Sequence, residues 1–145
     1  MTTVKPPIPN ADDTFFFDGA REGRLLIQRC ADCGTLRHPP APMCARCGSL
    51  ATDAQESTGR GTIHSWIVSH HPSRPDAEPR IVVLVDLEEG TRLVSNLVDA
   101  DADGVATGQA VEVCFATFDT SDGGTLALPQ FRLAGAGAGA DGGAR

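Results

Sequence analysis

Five stretches of the chain are apolar throughout or alternate apolar with polar residues, the pattern typical of β-strands. Glu88-Glu89-Gly90 predicts a tight hairpin between the second and third stretches, and Asp119–Thr125 a hairpin loop between the last two. Because one longer connection, Asp99–Gly108, follows the third strand, we expect a Greek-key barrel of the OB type, with a β-sandwich as second choice. The predicted strands are Thr62–Ser69, Arg80–Leu87, Arg92–Val98, Val111–Phe118 and Leu126–Leu133.

The amino-terminal part of the chain predicts an extended arm and one short helix. Met1–Pro9 contains three prolines and offers no helical pattern. Asn10 or Asp12 can cap the helix, which runs to about Glu22 and ends at Gly23. The fold class is therefore mainly β, with one helix before the barrel.

The predicted helix contains three consecutive phenylalanines, Phe15, Phe16 and Phe17. Consecutive helical residues point in directions about 100° apart, so one core-facing stripe cannot bury all three rings. Either two rings pack inward and one stays half-exposed, or one of them docks on another protein.

Four cysteines follow the helix in two pairs, with two residues inside each pair and ten between the pairs: Cys30, Cys33, Cys44 and Cys47. Each pair is followed by glycine, a residue that readily adopts the positive φ required after a metal knuckle. Four thiolates favour a closed, tetrahedral structural zinc site, which leaves no position for a catalytic water. The sequence therefore predicts one structural Zn²⁺ in a small ribbon.

Other uses of these cysteines remain open. The same four thiolates can hold iron in a rubredoxin-like centre, and two disulfides or a thioredoxin-type redox pair are further alternatives. The fifth cysteine, Cys114, alternates with Glu112 and Ala116 in a predicted strand. We interpret it as a small packing residue because no motif supplies a general base for it.

Charge argues against a nucleic-acid surface. The chain has a net charge of −7, and residues 61–145 carry five arginines against twelve acidic residues. No apolar run reaches the roughly 20 residues of a membrane span, and none has the layout of a signal peptide. We therefore expect a cytoplasmic protein that binds neither nucleic acid nor membrane.

No catalytic constellation emerges from the remaining polar residues. By strand alternation, His64 is expected to share a face with Trp66 and Val68, whereas Ser65 lies on the other face. His70 and His71 end the same strand, and we interpret all three histidines as solvated or hydrogen-bonded. Asp99, Asp101 and Asp103 begin like a calcium loop but lack its final acidic residue, which favours a helix-capping turn.

The predicted layout has four parts. Residues 1–23 form the arm and helix, residues 24–52 the zinc ribbon, residues 53–133 the OB-fold and residues 134–145 a disordered tail of alanine and glycine. Asp53–Thr58 is interpreted as a polar connector.

The order of these segments resembles the acyl-CoA-associated family that couples an N-terminal helix, a rubredoxin-like zinc ribbon and an OB-fold. The resemblance covers about residues 12–133, and it departs mildly at Phe16, where relatives often have tryptophan. The stretches that carry it are Phe15–Gly19, Gly23–Leu25, Cys30–Ser49, Gly59–Ser65, Gly108–Val113 and Leu128–Arg132.

The resemblance implies a partner protein from the thiolase superfamily, either a thiolase or a lipid-transfer-protein-like aldolase, or an enoyl-CoA hydratase. The resemblance further implies that, in steroid side-chain degradation, such a domain is required by a thiolase-like aldolase that cleaves a 17-hydroxy steroid acyl-CoA. We therefore expect a non-catalytic subunit that meets acyl-CoA only indirectly. Phe15, Phe16 and Phe17 are the candidate partner contacts, and Arg37, Arg46 and Arg60 are the candidate CoA contacts.

Two other classes of function are weighed against this one. An OB-fold that binds single-stranded nucleic acid needs aromatic rings in a basic groove, whereas this chain has no tyrosine and one tryptophan. A rubredoxin-like electron carrier would hold iron instead of zinc.

Overall fold

The computed structural model describes residues 3–135, which form a mainly β protein with one α-helix and eight strands. The tail predicted to be disordered lies, from residue 136 onward, outside the described residues. Two compact units are present. One contains the described chain up to Thr58 with Glu89–Thr91 and Phe115–Pro129, and the other contains Gly59–Glu88, Arg92–Cys114 and the described chain from Gln130. No helix among residues 3–135 is long and apolar enough to cross a membrane.

The helix α1 spans Thr14–Arg21 and begins one residue later than an Asp12 cap would give. The difference arises because the Asn10 side chain accepts hydrogen bonds from the backbone N–H groups of Asp12 and Asp13, at 2.8 and 3.2 Å, and so forms a turn first. The helix ends before Gly23, whose φ is +73°, as the sequence predicts.

A three-stranded antiparallel sheet follows in the order β2-β1-β3. Its strands are β1 (Leu26–Cys30), β2 (Leu36–Arg37) and β3 (Thr52–Glu56). The interpretation of Asp53–Thr58 as a connector is therefore wrong for most of its length. Strand β3 pairs with β1 through its backbone while most of its side chains are exposed, so no apolar alternation marks it in the sequence.

The remaining five strands form a closed barrel in the order β4-β5-β6-β8-β7, and strands β4 and β7 pair to complete it. Neighbouring strands are antiparallel except for β6 and β8, which meet in parallel at Leu97 and Phe131. This is the OB topology, and all five predicted strands are confirmed. They are β4 (Arg60–Ser69), β5 (Arg80–Leu87), β6 (Arg92–Leu97), β7 (Ala110–Asp119) and β8 (Thr125–Leu133).

The second unit buries one face of its strands. Ile81, Val83, Val85 and Leu87 alternate inward along β5, and Phe131 of β8 is fully buried. Each such aliphatic or aromatic side chain contributes about 1.5–3 kcal/mol when it leaves water. These residues form the interior of the barrel. They fix the strand register, because a shift of one residue would move them to the solvent face.

A β-bulge at His64 changes the face assignments predicted for β4. Ile63 pairs with Val85 and Ser65 pairs with the next residue of β5, Leu84, so His64 is the extra residue. Both His64 and Ser65 are exposed, while Trp66 and Val68 are half-buried. The prediction that His64 shares a face with Trp66 is therefore wrong, because one inserted residue reverses the alternation beyond it.

The acidic segment after β6 forms the predicted capping turn. The Asp101 carboxylate accepts a hydrogen bond from the backbone N–H of Asp103 at 3.1 Å. It thereby caps the short 3₁₀-helix Ala102–Gly104 and gives a hydrogen-bond acceptor to an N–H group that has none within the helix.

Candidate functional site

The four paired cysteines converge on one point. Their Sγ atoms all lie within 4.8 Å of one another, with 3.5 Å between Cys30 and Cys47 and 3.7 Å between Cys33 and Cys44. Four sulfurs bound at about 2.3 Å to a tetrahedral ion are about 3.8 Å apart, so the geometry fits zinc or iron. All five cysteines of the chain are free, which excludes the two disulfides as a description of this structure.

Two similar backbone loops present the four sulfurs. In the first, the N–H of Gly34 donates to the Cys30 carbonyl at 2.9 Å and the N–H of Cys30 donates to the Thr35 carbonyl at 2.9 Å. In the second, Gly48 donates to Cys44 at 2.8 Å and Cys44 to Ser49 at 2.9 Å. Gly34 and Gly48 have φ of +79° and +78°, a conformation that favours glycine. The site is thus two equivalent knuckles.

Local hydrogen bonds give the thiols different acidities. The Thr35 hydroxyl and backbone N–H lower the pKa of Cys33 to about 6. Backbone N–H groups of Cys47 and Arg46 lower the pKa of Cys44. The Ser49 N–H favours the Cys47 thiolate, but the adjacent Cys30 sulfur and removal from water raise the pKa of Cys47 to about 12. A divalent cation is therefore what would hold all four groups as thiolates.

Polar contacts fasten the knuckles to each other and to the sheet. The Ser49 hydroxyl, beyond the second knuckle, donates to the Asp32 carboxylate inside the first. Gln28 on β1 is 3% exposed, and its Oε1 accepts a hydrogen bond from the backbone N–H of Ala41 at 2.8 Å. None of these residues was predicted from the sequence as part of the site. Gln28 carried a signal, since it is a polar residue that directly follows the apolar run Leu25–Ile27.

The three phenylalanines of α1 are all half-buried. Phe16 meets Phe17 edge-on with ring centroids 5.5 Å apart, and it also packs against the His38 ring at 5.3 Å. Phe17 further lines a cavity of about 360 Å³ together with Pro7, Arg21 and other residues of the arm and the β7–β8 hairpin. Whether one of these rings docks on a partner remains a prediction.

The three candidate CoA-binding arginines differ in their surroundings. Arg37 is half-buried and donates to the Ala41 carbonyl at 3.1 Å, while its Nε and Nη1 have no hydrogen-bond partner within residues 3–135. Arg46 is exposed. Arg60 lies in the other compact unit, where it forms a two-point ion pair with Glu88 at 2.8 and 3.1 Å. Their contact with CoA also remains a prediction.

The two histidines of the β4 region and the fifth cysteine make contacts only with nearby residues or are partly buried. The His64 Nδ1 lies 3.1 Å from the Asp86 carboxylate, and the His71 Nδ1 accepts a hydrogen bond from the Ser73 N–H at 3.1 Å. Cys114 is half-buried, and burial raises the pKa of its thiol. A thiol with a raised pKa is a weak nucleophile at neutral pH.

Comparison with known protein families finds two matching family models. The zinc-ribbon segment, residues 17–53, matches the model described as the rubredoxin-like zinc ribbon domain of ChsH2. Residues 54–116 match the model described as the C-terminal OB-fold domain of ChsH2.

Curated relatives include longer proteins. The chain is 47% identical over 129 residues to a probable enoyl-CoA hydratase alpha subunit of Thermomonospora curvata, covering 88% of this chain and 39% of that protein. It is 41% identical over 113 residues to the 3-oxo-4,17-pregnadiene-20-carboxyl-CoA hydratase alpha subunit of Mycobacterium tuberculosis, covering 77% of this chain and 36% of that protein. The chain thus spans well under half the length of these two relatives.

Among solved structures, one similar chain belongs to a structure described as the Ltp2-ChsH2(DUF35) aldolase. The two chains superpose with a TM-score of 0.80 and 47% sequence identity, covering 89% of this chain and 99% of that chain. Helix, ribbon and barrel are therefore all shared with a chain of nearly the same extent.

Proposed function

Because this chain belongs to the ChsH2 (DUF35) family of zinc-ribbon and OB-fold proteins, we propose that it is a non-catalytic subunit that stabilises and activates a thiolase-like acyl-CoA aldolase. The observation that carries the proposal is the match to the chain of the Ltp2-ChsH2 aldolase, 99% of which is covered at 47% identity. Neither the nucleic-acid binder nor the electron carrier is favoured by any of these relatives.

The zinc assignment is part of the proposal. Cys30, Cys33, Cys44 and Cys47 would hold Zn²⁺, and their sulfur separations support a tetrahedral ion. Zinc bound by four protein sulfurs stabilises the ribbon and leaves no coordination position for substrate. This is why we assign the centre a structural role and place the chemistry in the partner.

The reaction class follows from the relatives. A retro-aldol cleavage of an acyl-CoA requires a hydroxyl group β to the thioester carbonyl, and hydration of an enoyl-CoA creates that group. The M. tuberculosis relative is named as a hydratase subunit for a steroid acyl-CoA, which supports a β-hydroxy steroid acyl-CoA as the aldolase substrate class.

A second candidate is a subunit of an enoyl-CoA hydratase. It is favoured by the two longer relatives named as hydratase alpha subunits, whose lengths this chain covers by 39% and 36%. In that case the chain would work beside a hydratase domain as well as beside an aldolase.

The test is co-expression with a thiolase-like aldolase, followed by size-exclusion chromatography and an acyl-CoA cleavage assay with and without this chain. We expect a stable complex and cleavage that depends on the chain. An aldolase that is equally soluble and active alone would refute the proposal, as would turnover by this chain alone. Assaying enoyl-CoA hydration on the same samples separates the second candidate.

A further inference from the structure

The barrel carries aliphatic side chains on its outside. Ile67 on β4 and Val94 on β6 are 63% and 65% exposed, and Val82 and Leu84 between them on β5 are half-buried. We call these four residues the aliphatic face.

The strand register makes the four residues neighbours. Ile67 lies opposite Val82, and Leu84 lies opposite Val94. Val82 and Leu84 are two positions apart on β5 and so share one side of the sheet. Cross-strand partners of this kind have Cβ atoms about 4.5–5.5 Å apart, which makes the surface continuous across three strands.

The bulge at His64 is what adds β4 to this surface. Without the extra residue, two-residue alternation from the buried Ile63 would direct Ile67 into the barrel. With it, Trp66 and Val68 are half-buried and Ile67 faces out. The exposed position of the Ile67 side chain therefore follows from the β-bulge in β4.

Polar groups border the aliphatic face. Along β5 the next outward residue is Asp86, whose carboxylate accepts a hydrogen bond from Arg92 at 2.6 Å and lies 3.1 Å from the His64 ring nitrogen. At the other side Asn96 donates to the Ile81 carbonyl at 3.3 Å. An apolar centre with a hydrogen-bonded rim is the usual anatomy of a protein interface.

The side chains of the aliphatic face and the charge of the chain indicate which kind of partner can bind there. The corresponding strands of OB-folds bind nucleic acid through aromatic rings and positive charge, whereas these four side chains are all aliphatic and the chain carries −7. A second copy would bring the same net charge of −7 against the face, and like charges repel. The complementary occupant is an aliphatic patch with a basic surround on a different protein.

We propose that the aliphatic face, Ile67, Val82, Leu84 and Val94, is a docking surface for the aldolase partner. This inference rests on the proposed function, because the partner is the thiolase-like subunit named there. The expected contact patch on that subunit is aliphatic at its centre and rich in lysine or arginine at its edge, since residues 61–145 carry twelve acidic groups against five arginines.

The test places a charge in the centre of the face. Ile67→Glu and Val94→Glu alter side chains that are already mostly exposed, so the barrel should fold normally. Each is expected to raise the Kd for the aldolase at least about tenfold. Val94→Lys should weaken binding similarly, because the loss comes from a buried charge of either sign. The matched control is Ile8→Glu, an apolar residue of the arm that is 92% exposed.

Calorimetric titration of the aldolase, with thermal unfolding of every variant alone, separates the outcomes. Wild-type affinity in well-folded Ile67→Glu and Val94→Glu overturns the inference while leaving the proposed function intact. Equal weakening by Ile8→Glu overturns it too, because the effect would then not belong to this face. A dimer of the chain alone that Val94→Glu dissociates identifies a second copy as the occupant and also overturns it. If the wild-type chain itself fails to bind the aldolase, the proposed function fails first.

Discussion

Phe16 and His38 face each other with ring centroids 5.3 Å apart and ring planes inclined at 37°. The contact joins α1 to the loop between the two knuckles. Phe16 also meets Phe17, so it is engaged on two sides, whereas Phe15 has no ring contact within residues 3–135. The three phenylalanines therefore have different surroundings despite being adjacent.

Phe16→Ala should destabilise the chain itself. Removing a half-buried ring that contacts both Phe17 and His38 is expected to lower the free energy of unfolding by about 1–3 kcal/mol. Phe15→Ala should cost the chain less than about 1 kcal/mol but weaken aldolase binding about thirtyfold, or about 2 kcal/mol. Urea unfolding and calorimetric titration measure the two quantities. The reverse ranking of the two variants would show that Phe16, not Phe15, is the anchor.

Stability should fall in mildly acidic solution because of His38. Burial lowers the pKa of this imidazole, so the unfolded chain binds a proton more readily than the folded chain. The contribution to stability is fully present above the unfolded pKa of about 6.5 and declines as the pH falls below it, until the lowered folded-state pKa is passed. Urea unfolding between pH 7.5 and 5.5 should show a shallower decline for His38→Gln than for the wild type. Metal content must be checked at each pH, and parallel declines would contradict the assignment.

Loss of one thiol should empty the metal centre. Cys44 is 1% exposed, and Cys44→Ser should reduce bound zinc from about one ion per chain to a trace and unfold the ribbon, because metal binding contributes folding energy. Elemental analysis and circular dichroism are the measurements. Cys114→Ser is the matched control and should retain the ion. A metal-free wild type that is fully folded would contradict the prediction, and a red iron-containing protein would identify the other metal.

The Cys114 thiol should react slowly. Burial raises its pKa, so little thiolate is present at neutral pH. Alkylation of the zinc-loaded protein at pH 7 should be several-fold slower than that of an unfolded control. Cys114→Ala should leave partner activation intact with a loss of about 1 kcal/mol or less in stability. Abolished activation in a folded variant would instead reveal a functional thiol.

Gly59, which directly precedes β4, should not tolerate a side chain. Gly59 has a φ of +80°, and a Cβ there would lie 2.3 Å from the Val113 Cγ1. Gly59→Ala should therefore cost about 2–4 kcal/mol. Gly104→Ala is the matched control, since among residues 3–135 no heavy atom outside its own turn lies within 4 Å of its Cβ position, and it should be neutral or slightly stabilising. Equal unfolding midpoints for the two variants would contradict this account.

The barrel and the knuckles could be predicted because their signals are local. Buried strands alternate with a period of two, and each CxxCG sequence specifies one backbone loop. Strand β3 could not be predicted in this way, because it is held by backbone pairing with β1 and exposes most of its side chains. The bulge at His64 also has no marker, since neither Ile63 nor Ser65 is a residue that demands it.

The metal ligands could be predicted from the sequence more easily than the contacts that surround them. The four thiols are identified by spacing alone, whereas the Phe16–His38 contact and the Gln28–Ala41 hydrogen bond join residues that meet only once the ribbon has folded. The aliphatic face could not be predicted from the sequence for a related reason. An apolar β5 is compatible with burial on both sides, and only the register shows which of its residues remain outside.

The duplication of the knuckle has a consequence for how the metal affinity can change. Each knuckle holds two sulfurs through its own hydrogen bonds, so residues 35–43, besides pairing with β1 and contacting α1, also set the effective concentration of one half-site around the other. Lengthening that segment would dilute the second half-site slowly, by roughly 0.6 kcal/mol for each doubling of its length, and would leave the ligand geometry unchanged. Metal affinity in this ribbon can thus be adjusted through chain length alone, independently of the atoms that bind the ion.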